Sequence, residues 1–313
     1  MLSAALIAGG LLVLLLAGDL LVRGAAELAL RLGVSALMVG MTVVAFGTSA
    51  PELLVSVRAV LAGAGGLALG NVVGSNIANV LLVLGAPALI SAIVVSREVT
   101  RDYALMCGAS LLFLAVALTG VIGVWQALVL LAGFAVFMAD SIWRGRRARM
   151  AAALPDLPER PEGQWRAGVY VALGVVGLPL GAHLLVTGAV DLATRLGVSD
   201  LLIGLTIVAV GTSLPELATT LMAALRREAG VALGNIIGSN LFNLLFILGI
   251  AGLVGEMAIP AQLLRYDIWV MLAASALIGL FLWRGWAISR LWGLGLLLAY
   301  AAYIWGLIAI EGV

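Results

Sequence analysis

Apolar residues run in long stretches, and polar residues fall mainly between them. A helix needs about 20 mostly apolar residues to cross the hydrocarbon core of a bilayer. The pattern predicts ten spans, near residues 3–22, 35–58, 67–92, 103–119, 122–143, 167–187, 199–224, 230–254, 267–283 and 288–309. One stretch breaks this texture. Residues 144–166 read RGRRARMAAALPDLPERPEGQWR, rich in proline and arginine. It reads as a polar linker between a five-helix repeat over 1–143 and a second over 167–313.

Composition agrees with the pattern. Of the 313 residues, 64% are hydrophobic and only 11% are charged, too few to cover a water-soluble surface of this size. The expected fold class is an all-α integral membrane protein. The 39 glycines suit close helix packing in a bilayer. The single cysteine, Cys107, excludes an intramolecular disulfide and a cysteine metal cluster. The apolar start, Met1 to Ala17, lacks a basic region before it and reads as a retained first helix.

All 17 basic residues are arginine, and their placement orients the chain. With the 144–166 linker in the cytoplasm, fourteen arginines fall inside: Arg23, Arg31, Arg97, Arg101, Arg144, Arg146, Arg147, Arg149, Arg160, Arg166, Arg226, Arg227, Arg284 and Arg290. Only Arg58, Arg195 and Arg265 fall outside. This positive-inside bias places both termini on the extracytoplasmic face of a cell inner (plasma) membrane. The net charge of +1 points to no nucleic-acid partner, and no obligate protein partner is evident.

The chain repeats itself. Residues 31–85 align without a gap on 195–249, at a constant offset of 164, and more than half of the paired positions are identical. RLGVSALMVGMTVVAFGTSAPEL matches RLGVSDLLIGLTIVAVGTSLPEL, and ALGNVVGSNIANVLLVLG matches ALGNIIGSNLFNLLFILG. Five spans per half is an odd number, so the second copy enters the membrane from the opposite side. Inverted repeats of this kind place a substrate site near the midplane.

The repeated polar residues carry the chemistry. In GTSAPE (47–52) and GTSLPE (211–216), Pro51 and Pro215 interrupt what is otherwise continuous helix and free the carbonyls of Gly47 and Gly211. Those carbonyls and the hydroxyls of Thr48, Ser49, Thr212 and Ser213 are hard oxygen donors, suited to sodium or calcium. Glu52 and Glu216 follow, inside the membrane, with no arginine or histidine in the core of either motif helix to pair with them. A bound cation or a proton compensates such a carboxylate. In GNVVGSNIAN (70–79) and GNIIGSNLFN (234–243), Ser75 and Asn79 share a helix face, as do Ser239 and Asn243. Asn79 and Asn243 read as cation ligands. Asn71, Asn76, Asn235 and Asn240 fit inter-helix hydrogen bonding at least as well. Asp19 and its repeat partner His183 are expected near helix ends, and Asp102, Asp191, Asp200 and Asp267 solvated at loop edges. Trp283, Trp286, Trp292 and Trp305 read as interfacial anchors.

The paired GTSxPE and GSNxxN segments resemble the two alpha-repeats of the sodium/calcium exchanger family, in the calcium/cation antiporter superfamily. The prokaryotic type without a regulatory domain is the best match. The resemblance implies calcium ligands at Glu52 and Glu216 with main-chain oxygens of Thr48 and Thr212. It implies flanking sodium sites at Ala45, Ser49 and Ser75 and at Ala209, Ser213 and Ser239, with Asn79 and Asn243 lining the middle. Members often carry aspartate at the position of Asn243; here both repeats carry asparagine. The resemblance implies an antiporter and no enzyme, with calcium and sodium as transported ions and no cofactor. Potassium or proton coupling stays open. A calcium (or other divalent cation)/proton exchanger is the nearest rival, and a passive channel or an intramembrane enzyme are remoter ones. With one histidine and no HExxH sequence, the enzyme reading finds no catalytic constellation.

Overall fold

The computed structural model describes residues 2–95, 97–151, 164–196 and 209–311. Helix α1 is Leu2–Leu32. A bent pair follows, α2 (Ala36–Thr48) and α3 (Ala50–Leu61), with 45° between them. Then come α4 (Gly65–Ile90), α5 (Thr100–Ala117) and α6 (Val124–Arg147). The second half holds α7 (Gln164–Arg195), the short α8 (Ala209–Thr212), α9 (Leu214–Leu225), α10 (Ala229–Val254), α11 (Leu263–Arg284) and α12 (Arg290–Glu311). Among the described residues, eight helices are long and apolar enough to cross a bilayer, nine when α2 and α3 count as one bent span. The first part of the expected 199–224 span and most of the 144–166 linker lie outside the described residues.

Two helices form the centre. α4 and α10 have 72% and 83% of their apolar windows buried, against 22% or less for α6, α7 and α12. A helix apolar all round is stable only when surrounded, and these two carry the GSNxxN segments. All eight tryptophans are exposed, the four anchors expected from the sequence among them. Loops of the two halves clasp each other twice: Val121–Ile122 pairs antiparallel with Met257–Ala258, and Ile93 bridges to Ile288.

Helix α1 is longer than its apolar stretch, 31 residues rather than the expected 3–22. Its polar end is kept helical by ion pairs one turn apart, Asp19 with Arg23 at 2.8 Å and Glu27 with Arg31. Asp19 and His183 therefore lie well inside α1 and α7, not at helix ends. Asp19 also binds Arg226 at the end of α9. α1 and α7 run antiparallel in close apposition. A Cβ on Gly10 would lie 2.5 Å from the Leu185 nitrogen, and one on its repeat partner Gly174 would lie 2.5 Å from the Leu21 Cβ.

Two aspartates expected in water are buried. Asp102 is fully enclosed and holds Arg144, while Asp267 accepts from the Tyr303 hydroxyl at 3.1 Å. Both lie where helices meet, and their partners come from α6 and α12, far away in sequence. Asp191 is half-buried in the last turn of α7 rather than at a loop edge, paired with Arg195 at 3.1 Å and accepting from the Ser3 hydroxyl of α1. Asp200 lies outside the described residues.

Candidate cation site

Each proline sits where a helix restarts, not where one is kinked. α2 stops at Thr48, Ser49 takes φ −85° and ψ 5°, and α3 begins at Ala50 with Pro51 in its first turn. Ser213 repeats this with φ −87° and ψ 3° ahead of Pro215. A proline in the first turn loses no hydrogen bond, because that N–H has no helical partner. The break places Glu52 and Glu216 in the first turns of α3 and α9, at the positive ends of those helices. Both side chains are 1% exposed, and no described basic residue forms an ion pair with either.

The halves meet through these motifs. Glu216 Oε1 accepts from Ser49 Oγ of the first half at 3.0 Å and from Ser239 Oγ of its own half at 3.4 Å. Thr48 Oγ1 lies 3.1 Å from Asn235 Oδ1, 3.3 Å from its own helix's Ala45 carbonyl and 3.5 Å from Ser239 Oγ. One motif therefore hands hydroxyls to the carboxylate of the other.

The asparagines cross the centre as a matched pair. Asn79 Nδ2 donates to Asn240 Oδ1 at 3.0 Å, and Asn243 Nδ2 donates to Asn76 Oδ1 at 3.2 Å. The offset of 164 exchanges the two bonds, turning Asn79 into Asn243 and Asn240 into Asn76. Asn76 and Asn240 in turn point their own amide nitrogens at methionine sulfurs, Met271 and Met106. Asn71 reaches Ser56 Oγ at 3.1 Å, and Asn235 reaches Thr220 Oγ1 at 3.2 Å, each tying its helix to the one carrying the glutamate. The inter-helix reading of Asn71, Asn76, Asn235 and Asn240 therefore describes them, with an added consequence: Asn76 and Asn240 orient the amides of Asn79 and Asn243. The three-residue spacing of the two asparagines in GSNxxN is the signal that carries this.

These contacts leave a set of oxygens without donors. Glu52 Oε2, Glu216 Oε2, Asn79 Oδ1, Asn243 Oδ1 and Ser213 Oγ are all buried with no hydrogen-bond partner. Buried polar atoms are nearly always paired, and a buried carboxylate without a counter-charge costs several kcal/mol. Four of the five atoms form two repeat-related pairs of acceptors with nothing to accept. Carboxylate, amide and hydroxyl oxygens with no histidine or cysteine suit a hard cation such as sodium or calcium. Asn79 opens a π-helical turn, and Asn243 lies inside another. π-turns shift side chains off the regular 3.6-residue spacing and recur at functional sites.

The remaining sequence candidates divide. The Ala45 carbonyl already accepts from the Ser49 amide at 3.0 Å besides lying near the Thr48 hydroxyl, so it offers less than a freed carbonyl. In the second half the Ser213 amide donates to the Val210 carbonyl at 3.0 Å. Ser75 is buried one turn before Asn79 but, unlike Ser239, makes no hydrogen bond to a glutamate. Thr212 is half-buried at the end of α8. Thr219, one turn beyond Glu216, is fully buried with an unpartnered hydroxyl. Its repeat partner is Val55, so comparing the halves passes over it.

Replacing Asn76 or Asn240 by alanine is expected to weaken cation binding roughly 10- to 100-fold, the usual effect of losing a group that orients a ligand. Equilibrium binding of radioactive calcium to purified protein measures it. Unchanged affinity in both variants would remove the orienting role.

Comparison with known proteins comes out in one direction. The family model described as sodium/calcium exchanger protein matches residues 2–143 and 167–309. A putative antiporter, CaxA of Alkalimonas amylolytica, is 41% identical over 307 residues, covering 94% of this chain and 95% of its own. The sodium/calcium exchanger MaX1 of Methanosarcina acetivorans is 33% identical over 333 residues, covering 94% and 95%. The solved structure of the sodium-calcium exchanger NCX_Mj, soaked with sodium and strontium, superposes with a TM-score of 0.85 at 31% identity, covering 97% of both chains.

Proposed function

The chain belongs to the sodium/calcium exchanger family of multi-pass cation antiporters, and from that premise we propose that it exchanges calcium for sodium by alternating access. The observation that carries the reading is the set of donorless oxygens, Glu52 Oε2, Glu216 Oε2, Asn79 Oδ1 and Asn243 Oδ1. Calcium binds at these four. Ser49, Thr48, Ser75 and the Ala45 carbonyl flank it from one side, and Ser213, Thr212, Ser239 and Ala209 from the other. The crossed Asn79–Asn240 and Asn243–Asn76 bonds support two inverted five-span repeats about an axis through this point.

The charge of the site bears on coupling. With asparagine at 79 and 243, the two glutamates are the only carboxylates of the cage, and their charge of −2 balances one calcium or two sodium ions. A third sodium would leave net positive charge where the dielectric is low. Either balanced load neutralises the carboxylates and permits the switch between inward- and outward-facing states. By resemblance to the family, the α1–α7 pair, packed together through apposed glycines, is the element that slides over the core. With the 144–166 linker in the cytoplasm of the inner membrane, an inward sodium gradient expels calcium.

The test is radioactive calcium flux in proteoliposomes under an imposed sodium gradient, repeated with a pH gradient alone. Sodium-driven flux that is absent with the pH gradient is the expected result. Flux driven only by pH would replace sodium by protons at the same glutamates.

A further inference from the structure

Away from the centre, a groove of about 240 Å³ opens between the end of α6 and the start of α2. Its walls are mostly apolar, with Val34, Met38, Val43 and Ile142 among them. Three polar side chains interrupt the walls, Thr42, Ser141 and Arg146, and the Thr42 hydroxyl is already spent on the Met38 carbonyl at 2.8 Å.

Ser141 is 1% exposed, and its hydroxyl has no partner. A buried helical serine ordinarily turns back onto the carbonyl four residues earlier. Ser110 in α5 does so, donating to the Met106 carbonyl at 3.0 Å. Ser141 instead lines the groove with its donor unused. Arg146 stands exposed at the rim with no ion pair to a described acid. Its neighbours are neutralised: Asp102 and Asp140 hold Arg144, and Asp140 also holds Arg101. Arg147 lies 5.1 Å over the ring of Trp143. An exposed tryptophan beside arginines at a helix end marks the level of the lipid headgroups.

From the rim inward the groove thus presents an unpaired cation, a hydrogen-bond donor and an apolar slot. We propose that it binds one anionic glycerophospholipid, with the phosphate on Arg146, an ester carbonyl on the Ser141 hydroxyl and an acyl chain between Met38, Val43 and Ile142. Basic pockets between membrane helices hold anionic headgroups in this way. The site is placed to influence the centre. Val43 and its neighbour Thr42 belong to the π-helical segment Gly40–Val44, which leads directly into Ala45–Thr48. Gly145 brings α6 so close to α2 that a Cβ there would lie 3.0 Å from Met38 Sδ. A lipid in the groove therefore sets the spacing of these two helices.

Native mass spectrometry of the purified full chain, titrated with phosphatidylglycerol or phosphatidylcholine, tests the proposal without any reference to transport. The expected result is one retained phosphatidylglycerol per chain in preference to phosphatidylcholine. Retention should fall about fivefold in Arg146→Gln, the usual effect of one arginine at an anionic membrane surface, and should also fall in Ser141→Ala. Arg284→Gln, which removes an arginine stacked on Trp283 and Trp286 elsewhere, should retain lipid as the wild type does. Equal retention of the two lipids, or equal phosphatidylglycerol retention in wild type, Arg146→Gln and Ser141→Ala, would overturn the assignment. So would a mass showing a second copy of the chain in place of lipid.

Discussion

Glu52→Gln and Glu216→Gln are each expected to cut calcium affinity and flux by at least roughly a thousandfold. The amide keeps the size of the side chain, and at position 216 its oxygen can still accept from Ser49 and Ser239, so the substitution isolates the charge. One unit charge 4 Å from a monovalent ion is worth about 4 kcal/mol at an effective dielectric of 20. Each 1.4 kcal/mol is a factor of ten in affinity, and calcium carries twice that charge. Calcium binding at equilibrium and calcium flux in proteoliposomes should fall together. Thermal unfolding should show both variants folded, because neither glutamate has a basic partner to strand. Wild-type flux in either variant would detach the cage from transport.

Gly238→Ala carries the largest structural effect. A Cβ at this position would lie 2.4 Å from the Met41 carbonyl oxygen, 2.6 Å from the Met41 Cα and 2.7 Å from the Ala45 Cβ. The first two are backbone atoms, so no rotamer change relieves the clash and the two helices must separate. Overpacking of this kind costs about 1–3 kcal/mol. The displaced segment runs straight into Thr48, whose hydroxyl meets Asn235 and Ser239 on the same helix as Gly238. The variant should therefore melt at a lower temperature and lose exchange, as read by thermal unfolding followed by size-exclusion chromatography and by calcium flux. Gly9→Ala, whose Cβ meets no described atom within 4 Å, should match the wild type in both. Wild-type exchange by Gly238→Ala would show that this close approach is dispensable.

What the sequence made legible of the candidate site was its list of candidates. Glu52, Glu216, Asn79 and Asn243 stand out because each is a polar residue in an apolar run and each recurs 164 residues away. Partnership was not legible. Ser49 and Ser213 are identical in their motifs, yet Ser49 donates to Glu216 while the Ser213 hydroxyl has no partner. The difference follows from how the two halves pack. Asn76 and Asn240 were legible as polar contacts between helices but not as the groups that orient Asn79 and Asn243, because each of those bonds joins residues more than 160 positions apart.

The same divide runs through the fold. Long apolar runs determined that the chain crosses a membrane, since no other environment accepts so little charge. The repeat determined which polar residues act together, because two copies kept the same oxygens among freely varying apolar neighbours. Only the tertiary structure decided that α1 continues to Leu32, that Asp102 and Asp267 are enclosed, and that four oxygens at the centre are left without donors. Apolar periodicity is a local property of a helix and survives in the sequence. Burial of an aspartate and the pairing of an amide depend on which distant helix lies opposite, and that is set by packing alone.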